Sequence, residues 1–127
     1  MKITSLVFWV ADATLSYKFY KKLGFEIGEV NERHAVARLG DIGIMLVTLR
    51  DEDEFSKDAL AKPRGFGMYV YVLVDDADKK HQEVLKLGLR PSSEPRTWDW
   101  GNREFVIKDP DGYKLCFYQK VGKSNDK

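Results

Sequence analysis

The chain carries one pattern written twice. In its first half Asp12 heads a segment whose apolar residues Leu15, Phe19, Tyr20 and Leu23 recur at helical spacing, and Gly24 follows. In its second half Asp76 heads a similar segment that closes on Leu87 and Gly88. Val10 and Val74, Asp12 and Asp76, Ala13 and Ala77, and the tripeptides Lys22-Leu23-Gly24 and Lys86-Leu87-Gly88 all stand 64 positions apart. An aspartate side chain accepts from the free amides of a helix start, and a glycine takes the left-handed conformation that ends one. Two helices with one shared distance from cap to stop point to an internal duplication.

Strand patterns surround both helices. Ile3 to Ala11 is apolar, aromatic and β-branched, and Phe25 to Val30, Ala35 to Leu39 and Ile42 to Leu49 follow, with Gly40-Asp41 as a hairpin turn. After the second helix the order repeats. Met68 to Val74 precedes that helix, and Arg90 to Glu94 follows it as a short strand or loop restricted by Pro91 and Pro95. Arg103 to Ile107 and Tyr113 to Gln119 are strands joined by the turn Asp109-Pro110-Asp111-Gly112. The expected fold is α+β: two βαβββ modules forming a curved mixed sheet around a pocket. Residues 1–120 make one domain, with module one at about 3–50, a charged linker at about 51–65 and module two at about 66–120. The linker is expected to hold one helical turn around Phe55 to Leu60, and the polar tail 121–127 to fray.

Composition excludes several partners. Of 127 residues, 21 are basic and 20 acidic, so the net charge of +1 provides no footprint for nucleic acid or a membrane surface. No apolar run reaches the roughly 20 residues that span a bilayer, and the start MKITSLVFWVADA lacks the apolar core and cleavage site of a signal peptide. The single cysteine, Cys116, cannot close an internal disulfide, and no Cys/His spacing suggests a zinc cage. The expectation is a cytoplasmic protein.

Alternation sends Leu6, Phe8 and Val10 to one face of the first strand and Ser5, Val7, Trp9 and Ala11 to the other. The repeat offset puts Tyr69, Tyr71 and Leu73 on the face equivalent to Ser5, Val7 and Trp9. One face packs on the helix; the other is free to line a trough with aromatic walls, a default ligand site.

Three segments resemble the vicinal-oxygen-chelate superfamily, which includes glyoxalase I, extradiol dioxygenases and the bleomycin- and fosfomycin-resistance proteins. They are LVFWVADATLSYKFYKKLGFE, VLVDDADKKHQEVLKLGL and, best matched, WGNREFVIKDPDGYKLCFY. The last is especially similar to the bleomycin-resistance branch, where a Trp-Gly precedes an Arg-Glu-Phe strand. The resemblance runs from about Ile3 to Gln119. It implies four metal-ligand positions in metal-dependent members, carried here by Ser5, by Leu46 or Val47, by Tyr69 and by Cys116. A hydroxymethyl, an aliphatic, a phenol and a thiol make no site for a hard divalent cation. No metal and no other cofactor is therefore expected. The resemblance also implies a homodimer in which each site is built from both chains.

The expected ligand-binding residues are Trp9, Tyr69, Tyr71, Trp98, Trp100, Arg103, Glu104 and Cys116. Trp98 and Trp100 flank Asp99 on a polar loop, where large aromatics can clamp a planar ligand or pack on the protein itself. Of Arg103 and Glu104 only one can face the trough; an inward arginine favours an anionic ligand, an inward glutamate a cationic one. Cys116 reads more readily as a small buried hydrophobe than as a nucleophile. His34, in the turn NERH, and His81, among Lys79, Lys80, Gln82 and Glu83, are expected to face solvent.

Together these readings favour a metal-independent protein that sequesters a planar or aromatic small molecule. Bleomycin is cationic and its sequestering proteins are strongly acidic, which this chain is not. The alternative is an enzyme of the lyase or dioxygenase type with non-standard metal ligands.

Overall fold

A computed structural model describes residues 1–48 and 64–122. The expected helical turn around Phe55 to Leu60, and all of the expected linker before Arg64, lie outside the described residues. The chain divides into two compact units, Met1–Arg64 and Gly65–Lys127.

The first unit runs β1 (Ser5–Trp9), α1 (Ala13–Lys22), β2 (Glu26–Asn31), β3 (His34–Leu39) and β4 (Ile42–Val47). Its sheet has the order β1-β4-β3-β2, with β1 parallel to β4 and the other pairs antiparallel. Parallel neighbours need a long crossover, which α1, β2 and β3 supply. Asp12 starts α1 by accepting from the amides of Thr14 at 2.8 Å and Leu15 at 3.3 Å. Gly24 ends it at φ +106°, a conformation that side chains with a Cβ rarely adopt. The helix buries Ala13, Ser16, Phe19 and Tyr20. Leu15, expected on that stripe, is exposed. Tyr20 is fully buried, with Phe19 and Phe25 edge-on to its ring at 5.3 and 5.2 Å.

The second unit repeats the order: β5 (Val70–Leu73), α2 (Ala77–Lys86), β6 (Arg96–Thr97), β7 (Asn102–Lys108) and β8 (Lys114–Lys120). Its sheet is β5-β8-β7-β6, again with the first pair parallel. Asp76 accepts from the Lys79 amide at 3.0 Å, and Gly88 stops the helix at φ +81°. Both helices have 10 residues and keep the 64-residue offset at each end. The short strand or loop expected at Arg90 to Glu94 carries no strand; pairing with β7 begins only past Pro95, at Arg96.

One repeated contact had no counterpart in the sequence pattern. The Ala13 amide donates to Thr48 Oγ1 at 2.8 Å, and the Ala77 amide to Gln119 Oε1 at 2.9 Å. In each unit a side chain from the end of the last strand satisfies a free amide of the helix start and ties helix to sheet.

Burial marks the helix side of each sheet. In the first unit Phe8, Ala35, Ala37, Ile44 and Leu46 are buried on the helix side. In the second, Val72, Phe105, Ile107, Leu115 and Phe117 are buried, while Tyr69, Tyr71 and Leu73 remain exposed. His81 corrects an expectation. It is only 7% exposed and meets the Phe105 ring edge-on at 5.0 Å. Ala77, His81 and Val84 share the inner stripe of α2 through their i, i+4, i+7 spacing.

Candidate functional site: an aromatic cavity in the second unit

The face of β5-β8-β7-β6 that α2 leaves uncovered holds a cavity of about 400 Å³. The strand register decides what lines it. Tyr71 lies beside Cys116, Cys116 beside Val106, and Tyr118 beside Glu104, which pairs in turn with Arg96. All of these residues point to one side of the pleat. Of these, Tyr71, Arg96, Glu104, Val106 and Cys116 line the cavity, and Tyr69, Ser93, Glu94, Trp98 and Trp100 complete the lining.

Arg103, expected among the ligand-binding residues, is on the opposite face. Its guanidinium forms a bidentate pair with Asp78 of α2, Nε to Oδ2 at 2.8 Å and Nη2 to Oδ1 at 3.0 Å, and also donates to Thr97 Oγ1 at 3.0 Å. Phe105 and Ile107 belong to the buried face, and alternation puts Arg103 with them and Glu104 in the cavity. The pair with Arg103 holds the Asp78 carboxyl below its ordinary range.

Glu104 is only 7% exposed. Its Oε1 accepts from the Tyr71 hydroxyl and its Oε2 from Asn102 Nδ2, both at 3.4 Å. These are long bonds, beyond the usual range for a well-made contact to a carboxylate. Among the described residues no cation lies within ion-pair distance of Glu104. Burial, then the charge of Glu104, pushes the Cys116 thiol up to about 12; burial, then Cys116 and Glu104, raises the Tyr71 phenol to about 12. Both stay protonated at neutral pH and act as donors, not nucleophiles.

Trp98 and Trp100 stack on each other, rings 4.6 Å apart at 9°. The Arg96 guanidinium covers the Trp98 ring at 3.8 Å. The loop that holds them is a hairpin: the Trp98 amide donates to the Asn102 carbonyl at 2.8 Å, the Gly101 amide to the Trp98 carbonyl at 3.2 Å, and Gly101 has φ +97°. The turn Asp109 to Gly112 closes in the same way, Asp109 to Tyr113 at 2.8 Å and Gly112 to Asp109 at 3.0 Å, with Gly112 at φ +96°. The Trp-Asp-Trp-Gly segment is thus a second tight turn, read in the sequence only as a loop. Its glycine three residues after Trp98 was the available signal.

Trp9 stands in the first unit on β1, paired with Val47 and on the same side of the pleat as Ser5. Ser93, Glu94, Arg96 and Val106 were not anticipated as lining residues. Val106 was legible in principle, being two residues from Glu104 on one strand. Ser93 and Glu94 were not, since they reach the cavity from a loop. That loop is held to β7 by Ser92 donating to the Val106 carbonyl at 2.7 Å and by the Val106 amide donating to Ser93 Oγ at 3.0 Å.

A family profile described as the Glyoxalase/Bleomycin resistance protein/Dioxygenase superfamily matches residues 2–117. The chain belongs to that superfamily. Solved structures of similar fold include a glyoxalase/bleomycin resistance protein/dioxygenase from Nocardioides, with 21% identity, coverage of 100% of this chain and 89% of that one, and a TM-score of 0.79. A glyoxalase-related enzyme from Fulvimarina pelagi has 13% identity, 94% and 88% coverage, and a TM-score of 0.77. A virulence protein from Salmonella typhimurium has 25% identity, 95% and 98% coverage, and a TM-score of 0.72. A search of curated protein sequences found no match.

The residues at the superfamily's metal positions do not fit a hard cation. On β4, Leu46 is fully buried on the helix side; Val47 is on the side of Ser5 but has no donor atom. In the second unit Tyr69 presents a phenol, and the Cys116 thiol holds its proton at neutral pH. Among the described residues no three His, Cys, Asp or Glu side chains are grouped to hold a metal. No helix of the described residues is long and apolar enough to cross a membrane.

Proposed function

We propose that this protein is a metal-independent small-molecule-binding protein of the bleomycin-resistance type, which sequesters a planar or aromatic ligand. The observation that carries the reading is the cavity of about 400 Å³ walled by Tyr69, Tyr71, Trp98 and Trp100. Aromatic side chains add stacking to simple area burial, about 0.5–1.5 kcal/mol per ring pair. Trp98 is already engaged by Arg96 and Trp100, and Tyr69 lies under the Lys114 ammonium, so the half-exposed Trp100 and Tyr71 are the surfaces left for a ligand. A volume of this size suits one drug-sized molecule.

The protein acts in the cytoplasm as a homodimer, a reading supported by its single buried thiol and its superfamily. Calorimetric titration with a panel of planar heteroaromatic compounds tests the function. Saturable heat at one site per cavity, lost in Trp100→Ala, is the expected result. Stoichiometric zinc, manganese, nickel or iron in the purified protein by elemental analysis would overturn the metal-independent reading. Light scattering after size exclusion tests the dimer.

A further inference from the structure

The geometry points to a ligand class: a compact planar cation whose positive donor group rests on Glu104, an inference that depends on the cavity being a ligand site as proposed. A carboxylate is rarely buried without a cation or several short hydrogen bonds, because desolvation removes far more than long contacts to neutral donors return. Glu104 is 7% exposed, and its partners are all neutral donors: the Tyr71 hydroxyl and the Asn102 amide at 3.4 Å each, and the Cys116 thiol. It is therefore a buried acceptor with capacity to spare, since an ionised carboxylate has about four lone-pair positions.

The charges around the cavity favour a cation there. Its lining contains Glu94, Glu104 and Arg96. Arg96 is opposite Glu104 in the β6–β7 register, which would suit a salt bridge. Its guanidinium instead lies 3.8 Å over the Trp98 ring. Lys114, on the same strand face, donates its ammonium to the Gly65 carbonyl at 3.0 Å and lies over Phe66 and Tyr69. Lys108 and Lys120 share that face at opposite ends of the β7–β8 pair; both are exposed, and neither is within ion-pair distance of Glu104. The walls reinforce the preference: the faces of Tyr and Trp rings attract cations through their quadrupoles. Tyr71 and Trp100 line the same cavity as the carboxylate, and Tyr71 touches it. A flat aromatic ring with an amino or amidine group satisfies both features, stacking on the rings and donating to Glu104.

Three acridines of one shape test this: protonated 9-aminoacridine, neutral acridine and anionic acridine-9-carboxylate, titrated calorimetrically at neutral pH and physiological salt. The expected result is that the cation binds at least about tenfold more tightly than either analogue, a preference that Glu104→Gln reduces to about twofold or less. Arg103→Gln, on the opposite face of the same strand, leaves the preference intact. Equal binding of all three, or preference for the anion, overturns the cation assignment while the cavity's role as a ligand site stands. Binding of none overturns both. If Glu104→Gln proves unfolded by circular dichroism, the wild-type series still decides the charge preference on which the proposal stands.

Discussion

Tyr71 donates its hydroxyl hydrogen to Glu104 across 3.4 Å, a contact too long to balance the burial of a carboxylate. The two residues come from strands that do not touch directly, β5 and β7, with Cys116 and Tyr118 of β8 between them. Residues that serve only the fold are rarely left in this condition. Sites that bind something often are.

A stability measurement follows from this. Replacing an under-satisfied buried carboxylate by a neutral amide of the same shape removes a desolvation penalty; the amide oxygen keeps accepting from Asn102, and the Tyr71 hydroxyl can turn to accept from the amide nitrogen. Glu104→Gln is expected to unfold at the same urea concentration as the parent or higher, with a gain of up to about 1 kcal/mol. A loss of more than about 2 kcal/mol would mean that Glu104 is a structural acceptor.

The indole stack has an optical signature. Two parallel rings 4.6 Å apart couple their transitions. Far-ultraviolet circular dichroism should show an exciton couplet that disappears in either Trp98→Phe or Trp100→Phe. Loss of the pair should destabilise the protein by about 0.5–1.5 kcal/mol. A couplet that survives both substitutions would place its origin elsewhere.

Cys116 is 1% exposed. Its thiol should resist a disulfide-exchange reagent at neutral pH until denaturant opens the fold. The pH dependence has a definite sign. A thiol and a phenol whose folded pKa values are raised to about 12 contribute stability that is complete below their unfolded values and lost as pH climbs toward 12. Unfolding midpoints should therefore fall on the alkaline side, and Cys116→Ala should flatten that decline. Rapid thiol labelling of the folded protein at neutral pH would contradict the burial.

The Asp78–Arg103 pair makes the opposite prediction in acid. Asp78 has a depressed pKa in the fold, so its contribution is present above the ordinary carboxylate range and lost as pH falls through the folded value. In Arg103→Ala, carbon-detected NMR should show the Asp78 titration moving up toward the ordinary range. The pair is solvent-exposed, and salt should weaken its effect. An unchanged titration would show that the bidentate contact is absent in solution.

Much of the architecture was legible because it is local. Asp12 and Asp76 as caps, Gly24 and Gly88 as stops, and the 64-residue offset predict two helices that begin and end in register, and they do. These signals need only a few neighbouring residues, so no distant partner can mask them. His81 was misread for the converse reason. Its charged neighbours in sequence suggested solvent, whereas its neighbours at helical spacing, Ala77 and Val84, face the sheet.

By itself the sequence determined the duplicated βαβββ order, the helix limits, the final hairpin and the aromatic residues of β5, since each follows from spacing and backbone preference. Only the tertiary structure decided that Glu104 and not Arg103 faces the cavity, that Leu46 lies under the helix, and that Trp98 stacks on Trp100 beneath Arg96. Alternation says that neighbouring side chains oppose one another, but the sign of that alternation is set by what packs on each face. Phe105 and Ile107 turn toward α2, and the carboxylate is left, desolvated, among the aromatic rings.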